Sequence, residues 1–467
     1  MQKPTQPKFS FLNKFLSGEA NFAFWDFVSK GIGFLNTVII ISALSIYQYG
    51  IFQLLLSLYA ILSNFLYLGG GVVGNDIMRF IGEGREDRAK RLFFEYHSGR
   101  IFGAVVIGLL LFFGADFLSF RYPPEAIAFV KPVALLLLFE VVFSVLKTVL
   151  NMRLHFGLVA SRSTIYKIVE LLVLIIFFSL GGLSVREAVI SMVAGSLVSS
   201  VILVRPVLRS LSVWRKTPVS SGWILPSIFR HHGKWEVLQQ FMSKASVSIQ
   251  PWLIKFFVGT EAVAIYSIAQ TMISSLIGFF PTKTLATLIP LKAKDPASLQ
   301  KLYHMGTKYL LAFSVALAFG GAILAPLAIG LFFAKYQPSL LFFFPLLLHL
   351  PITALSSMTS TFLVVLRKQK YLFYQKVLRF LIALPMLVFI WVGGLWGLVL
   401  FQLSFSFLLF LSIYSFLRRV PPGFRIIWRD LIRFNETDKE FISRAIAAVK
   451  ERIKRKFPFL FSVPRAS

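Results

Sequence analysis

The sequence predicts an all-α polytopic membrane protein whose twelve transmembrane helices form two six-helix bundles in a parallel pseudo-two-fold repeat. Three observations lead there: a lipid-adapted composition, apolar runs of bilayer length, and a motif that recurs at a fixed offset. Of 467 residues, 57% are hydrophobic and only 15% charged, with 51 Phe. A soluble domain carries about a quarter charged residues. The mean hydropathy is +0.75, and no soluble domain of useful size fits between the apolar runs.

A span takes ~20 predominantly apolar residues. On that ruler the first six spans are 22–46, 50–74, 99–118, 128–150, 163–181 and 187–208. The second six are 236–258, 262–282, 308–333, 338–364, 371–392 and 395–417. The chain then divides into an arm (1–21), a first bundle (22–208), a basic linker (209–235), a second bundle (236–417) and a basic amphipathic tail (418–467). Met1 to Ser10 lack the apolar core and cleavage site of a signal peptide, so the first apolar run is expected to remain a span.

Loop charge sets the orientation. With both termini cytoplasmic, 41 of the 49 Lys and Arg fall on inner segments, as the positive-inside rule requires. The expected location is the cell inner membrane, crossed many times. The linker and tail interleave basic and aromatic residues and read as segments lying on anionic membrane lipids. Phe424 to Arg429 is expected to form an interfacial helix, and 441–456 a basic surface helix.

Phe27-Val28-Ser29-Lys30 recurs as Phe241-Met242-Ser243-Lys244, and the same offset of 214 lays Ile51-Phe52 on Ile265-Tyr266. Six spans per half with both halves starting inside make a parallel repeat, whose substrate site is expected near the interface of the halves. Lys167 and Lys376 occupy equivalent places near the start of each fifth span.

Several chemistries are excluded by pattern. The basic residues sit in short loops, which disfavours nucleic acid. Zero cysteines remove disulfides, thiolate metal sites and cysteine nucleophiles. No phosphate-binding G-x-x-x-x-G-K-[ST] loop occurs, His231-His232 lack metal-ligating partners, and Gly69-Gly70-Gly71 reads as a flexible helix terminus. An enzyme, a resident metal and a cofactor are not expected.

The intramembrane ions remain: Asp26, Lys30, Glu140, Lys147, Glu170, Lys244, Lys255, His349 and Arg379. Charges at such depth are functional candidates by default. Each also has a structural reading. Asp26 and Lys30 share a helical face and can neutralise one another; Lys147 and Lys255 lie near helix ends and can snorkel; Glu170 and Arg379 can pair across the halves. Lys30 and Lys244 recur in both halves, which points to a shared cationic cavity suited to a phosphate or diphosphate.

The turn Tyr47-Gln48-Tyr49-Gly50-Ile51-Phe52, its counterpart Gly259-Thr260-Glu261-Ala262-Val263-Ala264-Ile265-Tyr266-Ser267 and the basic segment Arg79-Phe80-Ile81-Gly82-Glu83 resemble those of the oligosaccharide flippases, the O-antigen or polysaccharide-repeat transporters. These belong to the superfamily of multidrug MATE exporters and lipid II flippases, and the resemblance spans about residues 15–417. It implies a V-shaped central cavity that opens alternately inward and outward, and transport of an undecaprenyl-diphosphate-linked oligosaccharide to the outer leaflet. It also implies a polysaccharide polymerase as partner and coupling to an H+ or Na+ gradient.

On that reading Lys30 and Lys244 bind the diphosphate, with Lys147, Arg153, Lys167, Lys376 and Arg379 as secondary cations. Asp26, Glu140 and Glu170 balance charge or couple to the ion. The rivals are a cation-coupled drug exporter, for which Asp26 is a plausible ion site, and a lipid II flippase, which typically carries two further helices. A membrane glycosyltransferase would need a larger outer loop. The cysteine-free chain makes the orientation directly testable: single cysteines placed in 209–235 should react with a membrane-impermeant maleimide only in inside-out vesicles, and labelling of right-side-out cells would invert the topology.

Overall fold

The computed structural model describes residues 28–120, 129–153, 155–230, 248–280, 296–366, 368–381, 385–420 and 423–427, with isolated positions between. The described residues are helical apart from turns and the stretches 216–224 and 423–427, and no strand occurs among them. The helices are α1 (Val28–Ala43), α2 (Ile46–Leu66), α3 (Gly70–Gly82), α4 (Glu86–Gly114), α5 (Val130–Met152), α6 (Phe156–Ser179) and α7 (Val185–Ser212). After the linker come α8 (Gln250–Phe257), α9 (Thr260–Ile277), α10 (Pro296–Phe332), α11 (Ser339–Leu346), α12 (His349–Val365), α13 (Gln369–Leu381) and α14 (Pro385–Arg418). Six stretches among the described residues are long and apolar enough to cross a membrane, and α11 with α12, bent by 43°, makes a seventh if counted as one span. The chain is a multi-pass membrane protein.

Several boundaries move for identifiable reasons. The second span begins at Ile46 rather than 50 because Ser45 forms a capping box with Gln48: Gln48 N–H donates to Ser45 Oγ at 3.2 Å and Ser45 N–H to Gln48 Oε1 at 3.0 Å. The end of α1 just before it is capped in turn by Lys335, whose Nζ donates to the carbonyls of Ser42 at 2.8 Å and Leu44 at 2.6 Å. Partial burial there lowers the Lys335 pKa.

The glycine triplet is not a loose terminus. Gly69 takes a left-handed conformation (φ 75°) between α2 and α3, and a Cβ there would lie 2.6 Å from the Phe229 ring. The segment Arg79–Glu83, expected as loop, largely continues as helix in α3. The third span starts at Glu86 rather than 99, which carries Arg100 from a helix end into a helix interior. The expected boundary between 392 and 395 falls on Gly394, whose φ of 55° and ψ of −135° suit glycine alone. A Cβ on Gly397 would meet the Phe389 carbonyl oxygen at 1.8 Å, so the chain folds back on itself there. Residues 424–427 are not helical, and Phe424 is buried, so no interfacial helix forms at this point. The surface helix at 441–456 lies outside the described residues.

The chain separates into two compact units. One comprises Met1–Leu276, Gly320–His349 and Phe373–Phe405; the other comprises Ile277–Phe319, Leu350–Leu372 and Ser406–Ser467. Compactness and internal repetition are different criteria, and the division into two repeated bundles stays an expectation. In the smaller unit Phe424 closes an aromatic cluster with Tyr303 (5.6 Å between centroids) and Phe362 (5.6 Å), while Tyr303 Oη lies 3.1 Å from Thr359 Oγ1.

In the larger unit a core of Tyr49, Phe52, Leu55, Leu174, Val189, Ala264, Ile268, Ile329 and Tyr336 gathers α2, α6, α7, α9 and α10. The two repeated turns meet inside it. A Cβ on Gly50 would lie 2.2 Å from the Thr260 carbonyl oxygen, so only glycine lets α2 approach the start of α9. Small residues serve α7 likewise: Ser191, Ser196, Ser199 and Ser200 are buried, and a Cβ on Gly195 would meet the Tyr166 carbonyl at 2.8 Å. Gly50→Ala should therefore cost about 1–3 kcal/mol by overpacking, read as a lower melting temperature of the detergent-purified protein. An unchanged melting temperature would mean that α2 and α9 are not locked at this point.

Candidate functional site

Helix α6 gathers the ionisable groups Glu140, Arg162, Lys167 and Glu170. Arg162, Tyr166 and Glu170 follow at intervals of four, so they line one face over about 12 Å of helix. Lys167 stands beside them. Each charge on this stripe meets a partner from another helix or from the next turn.

At one end, Arg162 Nη2 donates to Glu140 Oε1 of α5 at 2.5 Å and to Ser196 Oγ of α7 at 3.3 Å. Ser196 Oγ donates to the same carboxylate oxygen at 2.9 Å. The guanidinium also lies 3.6 Å from the Phe143 ring centroid and 5.1 Å from that of Tyr166. Arg162 is buried. A guanidinium in that setting is costly alone and tolerable when paired and hydrogen-bonded. Tyr67 Oη donates to the Glu140 backbone carbonyl at 3.0 Å, which fixes the α5 side of the pair.

At the other end, Lys167 Nζ meets Glu170 Oε2 at 2.7 Å, and Asn36 Nδ2 of α1 donates to the same oxygen at 2.8 Å. Asn36 Nδ2 also reaches the Lys167 carbonyl at 3.1 Å. The Lys167 stem passes close to Gly33, where a Cβ would lie 3.6 Å from it. Glu170 is buried while Lys167 is only partly so. The buried Asn36 Oδ1 and Arg162 Nε have no hydrogen-bond partner, which leaves one acceptor and one donor of the network open.

The sequence-derived residues distribute unevenly. Glu140, Lys167 and Glu170 come together on this network. Glu170 pairs with Lys167 of its own helix, so the pairing with Arg379 considered from sequence is not needed to neutralise it. Lys30 lies on α1 and is exposed. Lys147 is exposed and lines a separate cavity beside Arg100. Arg153 follows the end of α5, with Nη2 buried. Lys376 and Arg379 lie on α13. Asp26 and Lys244 lie outside the described residues, as do His231 and His232. No group of three or more His, Asp and Glu able to hold a metal occurs among the described residues.

Arg162 is the residue that sequence reading missed. Starting the fifth helix at 163 left Arg162 among the loop charges, although its spacing of eight from Glu170 was a usable signal. Tyr166, Asn36 and Ser196 carry no charge and gave no signal of their own.

The fold has known counterparts. The lipid II flippase MurJ in an inward closed conformation superposes with a TM-score of 0.69 at 13% identity, covering 94% of this chain and 99% of that one. A multidrug resistance MATE family transporter of the MOP superfamily, inward-facing, gives 0.67 at 16% identity over 82% and 93%. A MOP superfamily transporter from Pyrococcus furiosus, described by a reversed polarity of its binding pocket, gives 0.58 at 16% identity over 85% and 95%. At such identities the likeness establishes the fold alone. No curated protein matches the chain by sequence. Residues 43–341, well over half of the chain, match the family model described as polysaccharide biosynthesis protein. The chain therefore belongs to that polysaccharide biosynthesis protein family, and its fold is the one seen in the MATE family transporter and MurJ structures.

Proposed function

We propose that the protein is an alternating-access flippase that carries an undecaprenyl-diphosphate-linked oligosaccharide from the cytoplasmic to the outer leaflet of the inner membrane. Twelve spans in two repeated bundles, with both termini cytoplasmic, belong to this proposal. The observation that carries it is the charge balance of the first bundle in a polysaccharide biosynthesis protein. Glu140 and Glu170 are each engaged by a cation of their own bundle, so these acids do not make an attractive site for a cationic drug. Lys30 and its repeat Lys244 add positive charge, and a diphosphate is the group that two such ammonium ions suit. Lys147, Arg153, Lys167, Lys376 and Arg379 supply further positive charge along the path.

Glu170 is the candidate for ion coupling. Its carboxylate and the unpartnered Asn36 Oδ1 lie on adjoining helices, and oxygen atoms of this kind suit H+ or Na+. Binding of the ion would compete with Lys167 for the carboxylate and loosen the tie between α1 and α6. A polysaccharide polymerase would take the product on the outer side.

The Lys30→Ala/Lys244→Ala double variant should export lipid-linked glycan at least about ten-fold more slowly, the cost of one lost charge-assisted contact or more, while reaching wild-type levels in the membrane. Normal export by that variant would end the diphosphate role. In proteoliposomes, Glu170→Gln should keep substrate binding yet lose stimulation by an imposed H+ or Na+ gradient; an intact gradient response would remove Glu170 from coupling. Drug resistance that depends on Asp26 would favour the exporter reading instead.

A further inference from the structure

A second cluster of cations lies apart from the α6 network, in a cavity of about 330 Å3 between the α2–α3 junction, α4 and the end of α5. Its polar lining includes Arg100, His97, Ser144 and Lys147, and no carboxylate lines it. Arg100, His97 and Ser144 are more than nine-tenths buried, and each keeps a side-chain atom without a hydrogen-bond partner: Arg100 Nη2, His97 Nε2 and Ser144 Oγ. Buried orphans of this kind are rare, and three on one cavity need a reason.

Their surroundings hold them ready to donate. Arg100 Nε donates to the Leu66 carbonyl at 2.9 Å, at the end of α2. Its guanidinium lies 4.0 Å from the Tyr67 ring centroid and 5.3 Å from that of Tyr96. Arg100 Nη1 is 3.4 Å from His97 Nδ1. A guanidinium can only donate, so Nδ1 accepts and the imidazole proton sits on Nε2. The open valences of Arg100 and His97 are therefore donors, Ser144 adds a hydroxyl, and the exposed Lys147 brings an ammonium to the rim. Gly70 keeps the entrance clear, since a Cβ there would lie 3.0 Å from Tyr96 Oη. Val73, Met78 and Met152 supply apolar lining.

We infer that this cavity binds the phosphoryl headgroup of a lipid, with Arg100, His97 and Ser144 donating to its oxygens and Lys147 neutralising it at the rim. A donor-rich, acid-free site with two fixed or nearby cations fits a multi-oxygen anion, and the apolar wall accommodates the first carbons of a chain. The inference shares only Lys147 with the transport reading, and it concerns equilibrium binding at α2 to α5 rather than export.

The test uses the full-length purified protein and three probes: farnesyl diphosphate, inorganic diphosphate, and nanodiscs of phosphatidylglycerol against phosphatidylcholine. Arg100→Gln removes the central positive charge and the guanidinium fork. Gly74→Leu fills the cavity from a position where a Cβ meets nothing within 4 Å, and so guards against a folding defect of the first variant. The expected result is at least about ten-fold weaker binding of farnesyl diphosphate in both variants, each made in the Lys30→Ala/Lys244→Ala background so that the proposed transport site does not contribute. Loss confined to phosphatidylglycerol would support the site with a bilayer lipid as its source. Equal loss for inorganic diphosphate would support the phosphoryl recognition with the chain contributing little. Wild-type affinity for all three probes in a correctly folded Gly74→Leu protein would overturn the inference, while export by the Lys30 and Lys244 variants would still be decided separately.

Discussion

A charge inside a bundle of apolar helices needs a counter-charge or a set of polar and aromatic partners, because lipid and hydrocarbon side chains offer no solvation in return. In this protein α6 is where that constraint is met. Its stripe of Arg162, Tyr166 and Glu170 reaches α5 and α7 through Glu140 and Ser196, and α1 through Asn36. The electrostatic requirement and the packing requirement are thus satisfied by the same contacts. Removing one partner would leave a buried ion exposed to a low dielectric, which is far more damaging than losing an apolar contact of equal size.

Close backbone approach is the second requirement, and glycine supplies it at defined places. Gly50 lets the first repeated turn lie against the second, Gly195 lets α7 press on α6, and Gly394 lets the chain double back within α14. Where helices lack a hydrophobic drive to associate in lipid, such tight contacts carry much of the packing energy. The triplet at Gly69–Gly71 belongs with them: it breaks the second span and opens one wall of the Arg100 cavity.

Much of the fold was legible in the sequence. The spans of α5, α7 and α9 fall within a few residues of their apolar runs, and the expected boundary before 395 coincides with Gly394. Hydropathy reads burial in lipid well because a span must be apolar for its whole length. It failed at the ends of helices, where amphipathic turns such as Glu86–Ser98 carry enough charge to resemble loops yet close their backbone hydrogen bonds within the helix. The same effect put Arg100 at a helix end and left Arg162 among the loop charges. Glu140, Lys167 and Glu170 were recognisable as isolated charges in apolar runs; their partners were not, since Asn36, Ser196 and Phe143 are ordinary residues in such a run.

By itself the sequence determined that this is a polytopic helical membrane protein with a strongly basic balance and a tetrad that recurs at a fixed offset. Those properties are local: they follow from composition, run length and fixed offsets along one chain. Only the tertiary structure decided which charges neutralise each other and which donors remain open. Arg162 is matched to Glu140 across 22 residues, Asn36 to Glu170 across 134, and Arg100, His97 and Ser144 converge on one cavity from two helices. Pairing of that kind depends on how helices rotate and cross, and helix rotation is set by packing between faces rather than by the pattern of any single face.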